Sequence, residues 1–267
     1  MNLYNKPKKS LGQNFLIDNN IIEKIVKIGN ISEKNTVLEI GPGNGNLTNK
    51  ISSQNPKIIF AVEKDKNLCE KIKIRFTKFK NIKIINNDIL NLLQINKFGK
   101  NIIVFGNLPY NISTKIIAEL ILLKEWPPWY KNLIFMFQKE VADRIIAKNY
   151  SKDFGRLSIL CNWRLEVVKH FDVSKNCFFP RPKINSTVLS FKPKKETYKI
   201  KNPKNLENVT RILFSNRRKM INKSFLKLFK GNKFVANDLK INLKKRPEDL
   251  SQEIFYKITI KYEELFC

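Results

Sequence analysis

Five short apolar runs in the first half of the chain predict buried β-strands. They occupy residues 36–40, 57–63, 82–85, 102–105 and 133–137. Runs of this length that are rich in Val, Ile and Phe are typical of strands covered on both faces. Segments with helical spacing separate them, at 48–53, 67–79, 114–123 and 139–148. This alternation predicts an α/β fold, with a parallel sheet and helices on both of its faces.

A helix precedes the first strand, and a change of pattern marks a second domain. Asn20 and Glu23 have the spacing of a capping box, and an apolar stripe from Ile21 to Ile28 follows. From Pro193 a connector rich in lysine and proline begins, and beyond it 206–228 and 247–265 show helical spacing without strand runs. We therefore predict a large α/β domain over 1–194 and a small all-helical domain over 195–267.

Composition favours a polyanionic partner and excludes several classes of protein. Lys and Arg number 51 against 23 Asp and Glu, which gives a net charge of +28 and favours nucleic acid or an acidic surface. Compositional drift towards Lys, Asn and Ile is the competing explanation. We expect neither a secretory signal nor a membrane span. The four cysteines form no CxxC pair and His170 is the only histidine, so we expect no metal site and a reduced cytoplasm.

A glycine-rich turn and two carboxylates follow the first three predicted strands. Gly41, Gly43 and Gly45 stand at alternate positions after the first strand, where the backbone must turn sharply and approach a ligand. Glu63 ends the second strand and Asp88 follows the third. In a nucleotide-type site these positions contact ribose and adenine. A structural turn, a solvated carboxylate and a helix cap are the alternatives for the three features taken singly.

The fourth strand leads into Gly106-Asn107-Leu108-Pro109-Tyr110, which suggests a pocket for a flat base that carries an amine. Asn107 offers an amide oxygen. Pro109 has no backbone N–H and stiffens the loop, which leaves the Leu108 carbonyl free to accept. Tyr110 supplies a ring for stacking. Two acceptors and one platform match the amino group and face of adenine.

Seven ordered motifs give the chain a family resemblance. They are Gln13-Asn14-Phe15-Leu16, Glu39 to Gly45, Gly106 to Thr114, Gln138-Lys139-Glu140-Val141, Gly155-Arg156-Leu157-Ser158, Phe178-Phe179-Pro180-Arg181-Pro182-Lys183 and Asn216-Arg217-Arg218-Lys219. The G-x-G-x-G turn resembles the first motif of S-adenosylmethionine-dependent methyltransferases. Together the seven resemble the small-subunit ribosomal RNA adenine dimethyltransferases, from about Leu11 to the C-terminal helices.

The resemblance implies dimethylation of two adjacent adenines in a hairpin near the 3′ end of small-subunit rRNA, with S-adenosylmethionine as donor and no metal. The residues implied to bind the cofactor are Asn14, Leu16, Gly41, Gly43, Gly45, Glu63, Asp88 and Asn107. Those implied to act on the adenine are Asn107, Leu108, Pro109, Tyr110 and Phe178. Phe178 would stack opposite Tyr110, although Phe179 is also aromatic and core packing is the alternative for either ring.

The implied partner is small-subunit rRNA within a pre-ribosomal particle, bound by a monomer in the cytoplasm or, for an organelle-targeted chain, in a stroma. The 1–194 domain would bind the cofactor and catalyse, and the 195–267 domain would bind rRNA. Candidate phosphate contacts are Lys6, Lys8, Lys9, Arg217, Arg218 and Lys219. Two rivals remain: a large-subunit methyltransferase of the macrolide-resistance type, and a non-catalytic RNA-binding assembly or transcription factor on the same fold.

Overall fold

The computed structural model describes residues 12–95 and 97–267, and nine strands occur in this part of the chain. In chain order they are β1 (Phe15–Leu16), β2 (Thr36–Ile40), β3 (Ile58–Glu63), β4 (Ile82–Asn86), β5 (Ile102–Asn107), β6 (Tyr130–Gln138), β7 (Leu165–Val173), β8 (Phe178–Phe179) and β9 (Ser186–Pro193). Seven form one sheet in the order β4-β3-β2-β5-β6-β9-β7, and β1 pairs with β8. The strands from β2 to β6 pair in parallel, whereas β9 runs antiparallel to β6.

Ten α-helices occur in the described residues. They are α1 (Asn19–Gly29), α2 (Asn46–Ser52), α3 (Lys66–Arg75), α4 (Ser113–Ile121), α5 (Lys139–Ile146), α6 (Arg156–Arg164), α7 (Pro203–Leu213), α8 (Asn222–Leu228), α9 (Phe234–Asp238) and α10 (Gln252–Phe266). Each of the first four parallel strands is followed by a helix or a 3-10 turn. The predicted α/β fold with a helical C-terminal part is therefore confirmed.

The strand order creates the position at which ligands bind in sheets of this kind. From β2 the chain moves outward through β3 and β4, and it then returns to the other side of β2 as β5. Ile40 stands opposite Gly106 in the register of β2 and β5. The turns that begin at Gly41 and Asn107 therefore lie side by side. A crevice opens outside the carboxyl ends of the strands where the order reverses in this way.

The prediction was wrong at the start of α1 and incomplete after α5. Asp18, not Asn20, caps α1, because the Asp18 carboxylate accepts hydrogen bonds from the backbone N–H groups of Asn20 and Ile21 at 2.9 and 3.0 Å. Glu23 instead forms ion pairs with Lys27 and Lys50, each at 3.2 Å. No predicted element corresponds to β1, α6, β7, β8, β9 or α9.

The chain folds as two compact units. The first runs to Leu120 and adds 127–142 and 167–193, and the second comprises 121–126, 143–166 and 194–267. In the second unit α6 joins the C-terminal helices, where the Tyr256 hydroxyl donates to the Ile159 carbonyl at 2.9 Å and the Trp163 indole donates to Tyr198 at 3.0 Å. The assignment of one activity to 1–194 and another to 195–267 stays a prediction.

Three further observations concern the described residues. None of their helices has both the length and the apolar character to cross a bilayer. They contain no grouping of three or more His, Cys, Asp or Glu side chains that is arranged around a metal position. All four cysteines are free thiols, and Cys69 and Cys161 are buried.

Candidate active site

A cavity of about 1380 Å³, counting the solvent space at its mouth, lies in the first unit at the carboxyl ends of β2 to β5. Most of the predicted site residues line it, namely Asn14, Leu16, Gly41, Glu63, Asp88, Asn107, Leu108, Pro109 and Tyr110. They come from the N-terminal segment and from four strand ends that are distant in sequence. The sheet topology brings the predicted cofactor and base positions into one space.

The three glycines of the first turn have different surroundings. Gly41 has a φ of +67°, and no atom lies within 4 Å of the position that a Cβ would take, so the backbone borders open cavity there. Gly43 and Gly45 do not line the cavity. A Cβ at Gly43 would stand 2.7 Å from the Phe15 ring, and one at Gly45 would stand 2.7 Å from the Phe76 ring. These two glycines admit neighbouring aromatic rings, and only Gly41 faces the ligand space.

Glu63 is held by backbone donors at the end of β3. One carboxylate oxygen accepts from the Gly43 N–H at 3.1 Å and the other accepts from the Asp65 N–H at 2.8 Å. Burial raises the pKa of Glu63 above its ordinary value, and the backbone hydrogen bonds oppose that shift. Each carboxylate oxygen has a second acceptor position, so the group retains capacity for two hydroxyl donors.

Glu39, near the end of β2, carries a buried oxygen that needs a partner. The residue is 1% exposed, and its Oε2 has no hydrogen-bond partner among the described residues. Burial above all raises the pKa of Glu39 to about 7, and the nearby charge of Glu63 adds to that shift. Because Glu39 also lines the cavity, a cationic or N–H donor there would satisfy the orphan oxygen.

Asp88 is already engaged on both carboxylate oxygens. Oδ1 caps a 3-10 turn by accepting from the Leu90 N–H at 3.0 Å, and Oδ2 pairs with the Lys64 ammonium at 2.8 Å. Burial favours the neutral acid, yet the Lys64 hydrogen bond and charge together with the Leu90 N–H leave the pKa of Asp88 below its ordinary value. Asp88 is therefore an ionised carboxylate on the cavity wall.

Two acceptors at the end of β5 lack donors. The Asn107 side-chain NH₂ donates to the Asn14 carbonyl at 2.8 Å, across a separation of 93 residues. In the described part of the chain no group donates to Asn107 Oδ1 or to the Leu108 carbonyl. Both residues line the cavity, so the corner predicted from sequence presents two free acceptors to it.

The Tyr110 side chain is held in place by a hydrogen bond and remains uncharged. Its hydroxyl lies 2.7 Å from the Ser186 Oγ, which is fully buried on β9. Burial raises the pKa of Tyr110, and the bond to Ser186 only partly opposes the shift. The phenol therefore keeps its proton at neutral pH, and the residue offers the cavity a ring face.

The two phenylalanines of β8 have opposite exposures. Phe178 is 3% exposed and belongs to the core cluster that includes Leu16, Met136 and Val188. It does not line the cavity. Phe179 is 44% exposed and stands opposite Phe15 in the β1–β8 register. The prediction that Phe178 stacks on the target base is not supported by this arrangement, and it remains a prediction.

The predicted phosphate contacts divide between two regions. Lys6, Lys8 and Lys9 lie outside the described residues. In the second unit Arg218 and Lys219 are exposed. Arg217 is half-buried, and its Nε donates to the Glu248 carboxylate at 2.7 Å. The charge of Arg217 is therefore engaged within the protein.

Among the residues that sequence reasoning missed are three cavity residues, and one residue that contacts Tyr110 from outside the cavity lining. Glu39 belonged to the quoted glycine motif but received no role, and Lys64 and Asn87 adjoin the two carboxylates that were chosen. Ser186 had no local signal, because it meets Tyr110 only through the pairing of β9 with β6. For Glu39, Lys64 and Asn87, the available signal was their position in sequence beside a predicted site residue.

Comparison with known proteins decides the family. A model of the ribosomal RNA adenine dimethylase family matches residues 4–264. The chain belongs to the ribosomal RNA adenine dimethylase family. The family consists of S-adenosylmethionine-dependent adenine dimethyltransferases, so the resemblance drawn from the seven motifs is confirmed.

Relatives of the dimethylase family match over nearly their whole length. A ribosomal RNA small subunit methyltransferase A of Pelagibacter ubique strain HTCC1062 is 49% identical over 263 residues, which cover 98% of this chain and 99% of that protein. One from Wolbachia sp. subsp. Drosophila simulans strain wRi is 38% identical over 266 residues, with coverages of 98% and 96%. The large-subunit alternative is therefore not favoured.

Two solved structures have folds similar to that of this chain. A dimethyladenosine transferase from Plasmodium falciparum superposes with a TM-score of 0.78 at 27% identity and covers 94% of this chain and 98% of its own. The 23S rRNA methyltransferase ErmE superposes with a TM-score of 0.68 at 19% identity, with coverages of 93% and 99%. At that identity the likeness to ErmE concerns the fold alone.

Proposed function

We propose that this protein is an rRNA adenine N(6),N(6)-dimethyltransferase that modifies two adjacent adenines in a hairpin near the 3′ end of small-subunit rRNA. The observation that carries the proposal is the pair of free acceptors, Asn107 Oδ1 and the Leu108 carbonyl, on the wall of a cavity that Glu63 and Gly41 also line. One space thus offers acceptors for an exocyclic amine and a carboxylate for ribose hydroxyls. The small-subunit name of the relatives at 49% and 38% identity supports the choice of substrate.

S-adenosylmethionine is the proposed cofactor, and the residues present fit it. Glu63 would accept the ribose hydroxyls and Asp88 would lie at the adenine end. The unpartnered Glu39 oxygen suits the cationic amino acid end, and the open space at Gly41 admits close approach to the backbone. The cofactor would supply a methyl group on a sulfonium, which is an activated electrophile.

The protein would act chiefly by orienting the adenine amine. The nitrogen lone pair is delocalised into the ring, which makes the planar amine a poor nucleophile. Hydrogen bonds from the two amine protons to Asn107 Oδ1 and the Leu108 carbonyl favour a pyramidal nitrogen with its lone pair directed at the methyl carbon. The cofactor would supply the methyl group from its sulfonium and keep the C–S bonding pair as a neutral thioether, and the amine nitrogen would release its proton to solvent.

No strong base is assigned to this step. Tyr110 keeps its proton because burial raises its pKa, and the only histidine, His170, bonds to Ser190 at 2.8 Å and does not line the cavity. Positioning of this kind supplies up to roughly 7–11 kcal/mol in favourable intramolecular reactions, whereas one neutral hydrogen bond contributes about 1 kcal/mol. Orientation therefore carries the larger share of the rate enhancement.

The proposed substrate also indicates where the protein works and which part of it contacts RNA. We propose that the protein works as a monomer in the cytoplasm on a pre-ribosomal small subunit, and that its helical C-terminal region contacts rRNA. A base in a hairpin loop leaves its stack at a cost of a few kcal/mol, and an aromatic platform such as Tyr110 offsets that cost.

Nucleoside mass spectrometry tests the proposal. Small subunits from a strain that lacks this modification are incubated with the protein and S-adenosylmethionine, and their rRNA is digested. We expect N(6),N(6)-dimethyladenosine at two adjacent positions, and none in large subunits treated in parallel. Methylation of large subunits alone, or of neither particle, would contradict the proposed function.

A further inference from the structure

Two buried polar atoms of opposite kind belong to residues that border the cavity of the first unit. They are Glu39 Oε2, an acceptor, and Asn44 Nδ2, a donor, and neither has a hydrogen-bond partner among the described residues. Glu39 stands near the end of β2, and Asn44 lies in the turn that leads into α2. Between them in sequence, Gly41 borders open cavity. Buried polar atoms without a partner are rare in folded proteins, so these two call for an explanation.

Asn44 occupies a position that the G-x-G-x-G motif leaves open to any residue, between Gly43 and Gly45. Its backbone carbonyl accepts from the Arg75 guanidinium, which also donates to the Asn46 side-chain oxygen at 3.3 Å. The turn is therefore held through the backbone of Asn44, and the amide nitrogen of its side chain contributes no hydrogen bond to it. Because the terminal torsion of an asparagine is broad, this nitrogen can turn into the cavity without giving up a partner.

The glycine N–H groups of the turn are committed to acceptors within the protein. They donate at 2.8–3.1 Å, Gly41 to the Val62 carbonyl, Gly43 to the Glu63 carboxylate and Gly45 to the Pro42 carbonyl. Glycine-rich turns that bind anions do so with free backbone N–H groups, and these three glycines have none to offer. An anionic ligand group beside this turn therefore gains from a side-chain donor.

Most other side-chain donors around the cavity are engaged as well. Among the described residues that line it, Lys64 is the only cation, and it pairs with Asp88 at 2.8 Å. Four amide nitrogens of the lining donate to acceptors within the protein, namely those of Gln13, Asn14, Asn46 and Asn107. Asn44 thus carries the buried amide donor that remains.

A zwitterion satisfies an unpartnered acceptor and an unpartnered donor together. Its ammonium donates to a carboxylate oxygen and its carboxylate accepts from an amide N–H, and hydrogen bonds with a charged partner are the stronger ones. We propose that the Asn44 side chain donates to the α-carboxylate of S-adenosylmethionine and, together with Glu39 at the ammonium, orients the amino acid end of the cofactor. This inference rests on the proposed function for the identity of the cofactor.

The test uses two ligands that differ only in the carboxylate. S-adenosylhomocysteine carries it, and S-adenosyl-3-thiopropylamine is the same thioether amine without it. Calorimetry measures the affinity of both for the wild type, for Asn44→Ala and for Asn49→Ala, a control at an exposed position on α2. Alanine keeps the backbone carbonyl that Arg75 holds, and thermal melting without ligand checks that each variant folds.

We expect a loss that depends on the ligand. Asn44→Ala should weaken the binding of S-adenosylhomocysteine by about 10–100-fold, the range for loss of a hydrogen bond to a charged group. Its affinity for the thiopropylamine should stay within about threefold of the wild-type value, because that ligand has no carboxylate to lose the contact. Asn44→Asp places a like charge beside the ligand carboxylate, so it should weaken S-adenosylhomocysteine further and spare the thiopropylamine. Asn49→Ala should bind both ligands as the wild type does.

Two results would overturn the inference. Unchanged affinity of Asn44→Ala for S-adenosylhomocysteine would show that the amide makes no contact with the carboxylate. An equal loss for both ligands would assign the effect to the shape of the turn. Failure of the proposed function looks different, because the wild type would then bind S-adenosylhomocysteine with the same dependence on Asn44 and yet leave the subunit adenines unmethylated. A wild type that bound neither ligand would overturn the cofactor and this inference with it.

Discussion

Asn107 is oriented by a bond that no local pattern reveals. Its amide nitrogen donates to the Asn14 carbonyl at 2.8 Å, which fixes the side chain so that the opposite oxygen remains an acceptor. An amide that rotated freely would present its NH₂ group to the substrate in part of the population, and NH₂ repels another amine. The N-terminal segment therefore contributes to the site through its backbone as well as its side chains.

Asn107→Ala is expected to lower the methylation rate by on the order of 100-fold or more, because misplacement of a reacting group by about 1 Å is sufficient for a loss of that size. Binding of S-adenosylhomocysteine and of rRNA should be retained, since neither depends on this acceptor alone. Single-turnover methylation and calorimetric binding measure the two properties. Asn49→Ala, at an exposed position on α2, is the matched control. Full activity in Asn107→Ala would remove this residue from the mechanism.

Glu39 makes stability depend on pH in a direction opposite to that of most carboxylates. An ordinary glutamate has a pKa of 4.5, whereas burial raises the pKa of Glu39 to about 7. Between these values the folded chain binds a proton that the unfolded chain has released. The stability associated with that proton is fully present below pH 4.5 and is lost as the pH rises to about 7.

Glu39→Gln should therefore remove part of the pH dependence. From pH 5 to pH 8 the free energy of unfolding of the wild type should fall relative to that of the variant by up to roughly 3 kcal/mol. Urea unfolding of both proteins at several pH values, without cofactor, gives the difference. The other titrating groups are common to both proteins and cancel, except for Glu63, whose charge interacts with that of Glu39. Parallel pH profiles would show that Glu39 is ionised throughout.

At the scale of elements, the ribbon of β1 and β8 joins parts of the site that are distant in sequence. Leu16 stands opposite Phe178 and Phe15 opposite Phe179, and the Leu16 carbonyl accepts from the Asn46 side chain at the start of α2 at 3.0 Å. The start of α2, directly after the glycine turn, is thus hydrogen-bonded to the strand that pairs with both phenylalanines. The segment predicted to bind the cofactor and the segment predicted to contact the base thus pair as one two-stranded sheet.

The sequence predicted the parallel strands and the corner after β5 because both have local signals. Buried runs such as Ile102 to Phe105 are uniformly apolar, and proline and glycine mark their ends. β7 is a largely exposed strand at the end of the sheet order, so it has no such run. β1 and β8 contain two residues each and exist only through each other. Strand pairings of this kind depend on the folded topology and produce no periodic pattern of apolar residues in the sequence.

α7 begins at a buried carboxylate from the end of the chain. Glu263, 2% exposed on α10, accepts from the backbone N–H groups of Lys201 and Asn202 at 2.7 and 2.8 Å and from the Asn205 side chain at 2.9 Å. One carboxylate thus accepts from three donors near the start of α7. The contact also ties α10 to the connector before α7.

Glu263→Ala should lower the free energy of unfolding by on the order of 3 kcal/mol, because it removes the buried acceptor of three partly buried hydrogen bonds. Glu264→Ala, at an exposed neighbouring position, should change it by less than about 0.5 kcal/mol. Denaturant unfolding of the two variants provides the comparison. A loss at Glu263 no larger than that at Glu264 would contradict the capping role.

For the whole molecule, ion pairs within the protein cannot neutralise the excess of positive charge. Even if each of the 23 acidic residues were paired with a cation, 28 of the 51 Lys and Arg residues would remain uncompensated. Several acids are in fact committed to structure, as Glu248 is to Arg217 and Asp88 is to Lys64. A net charge of this size attracts polyanions. Compositional drift would produce the same count without a binding function, so an experiment has to separate the two origins.

The dependence of rRNA affinity on salt concentration distinguishes a binding function from compositional drift. If the charge serves rRNA binding, association releases the counterions condensed on the phosphates and log affinity falls linearly with log salt. A protein with six to ten phosphate contacts loses on the order of 10³–10⁵ in affinity between about 50 and 200 mM salt. Binding of S-adenosylhomocysteine, whose proposed contacts lie within the cavity, should change little over the same range and serves as the control for folding. A flat rRNA profile beside a flat control would show that the lysines reflect composition, and a steep fall in both would point to loss of the folded state.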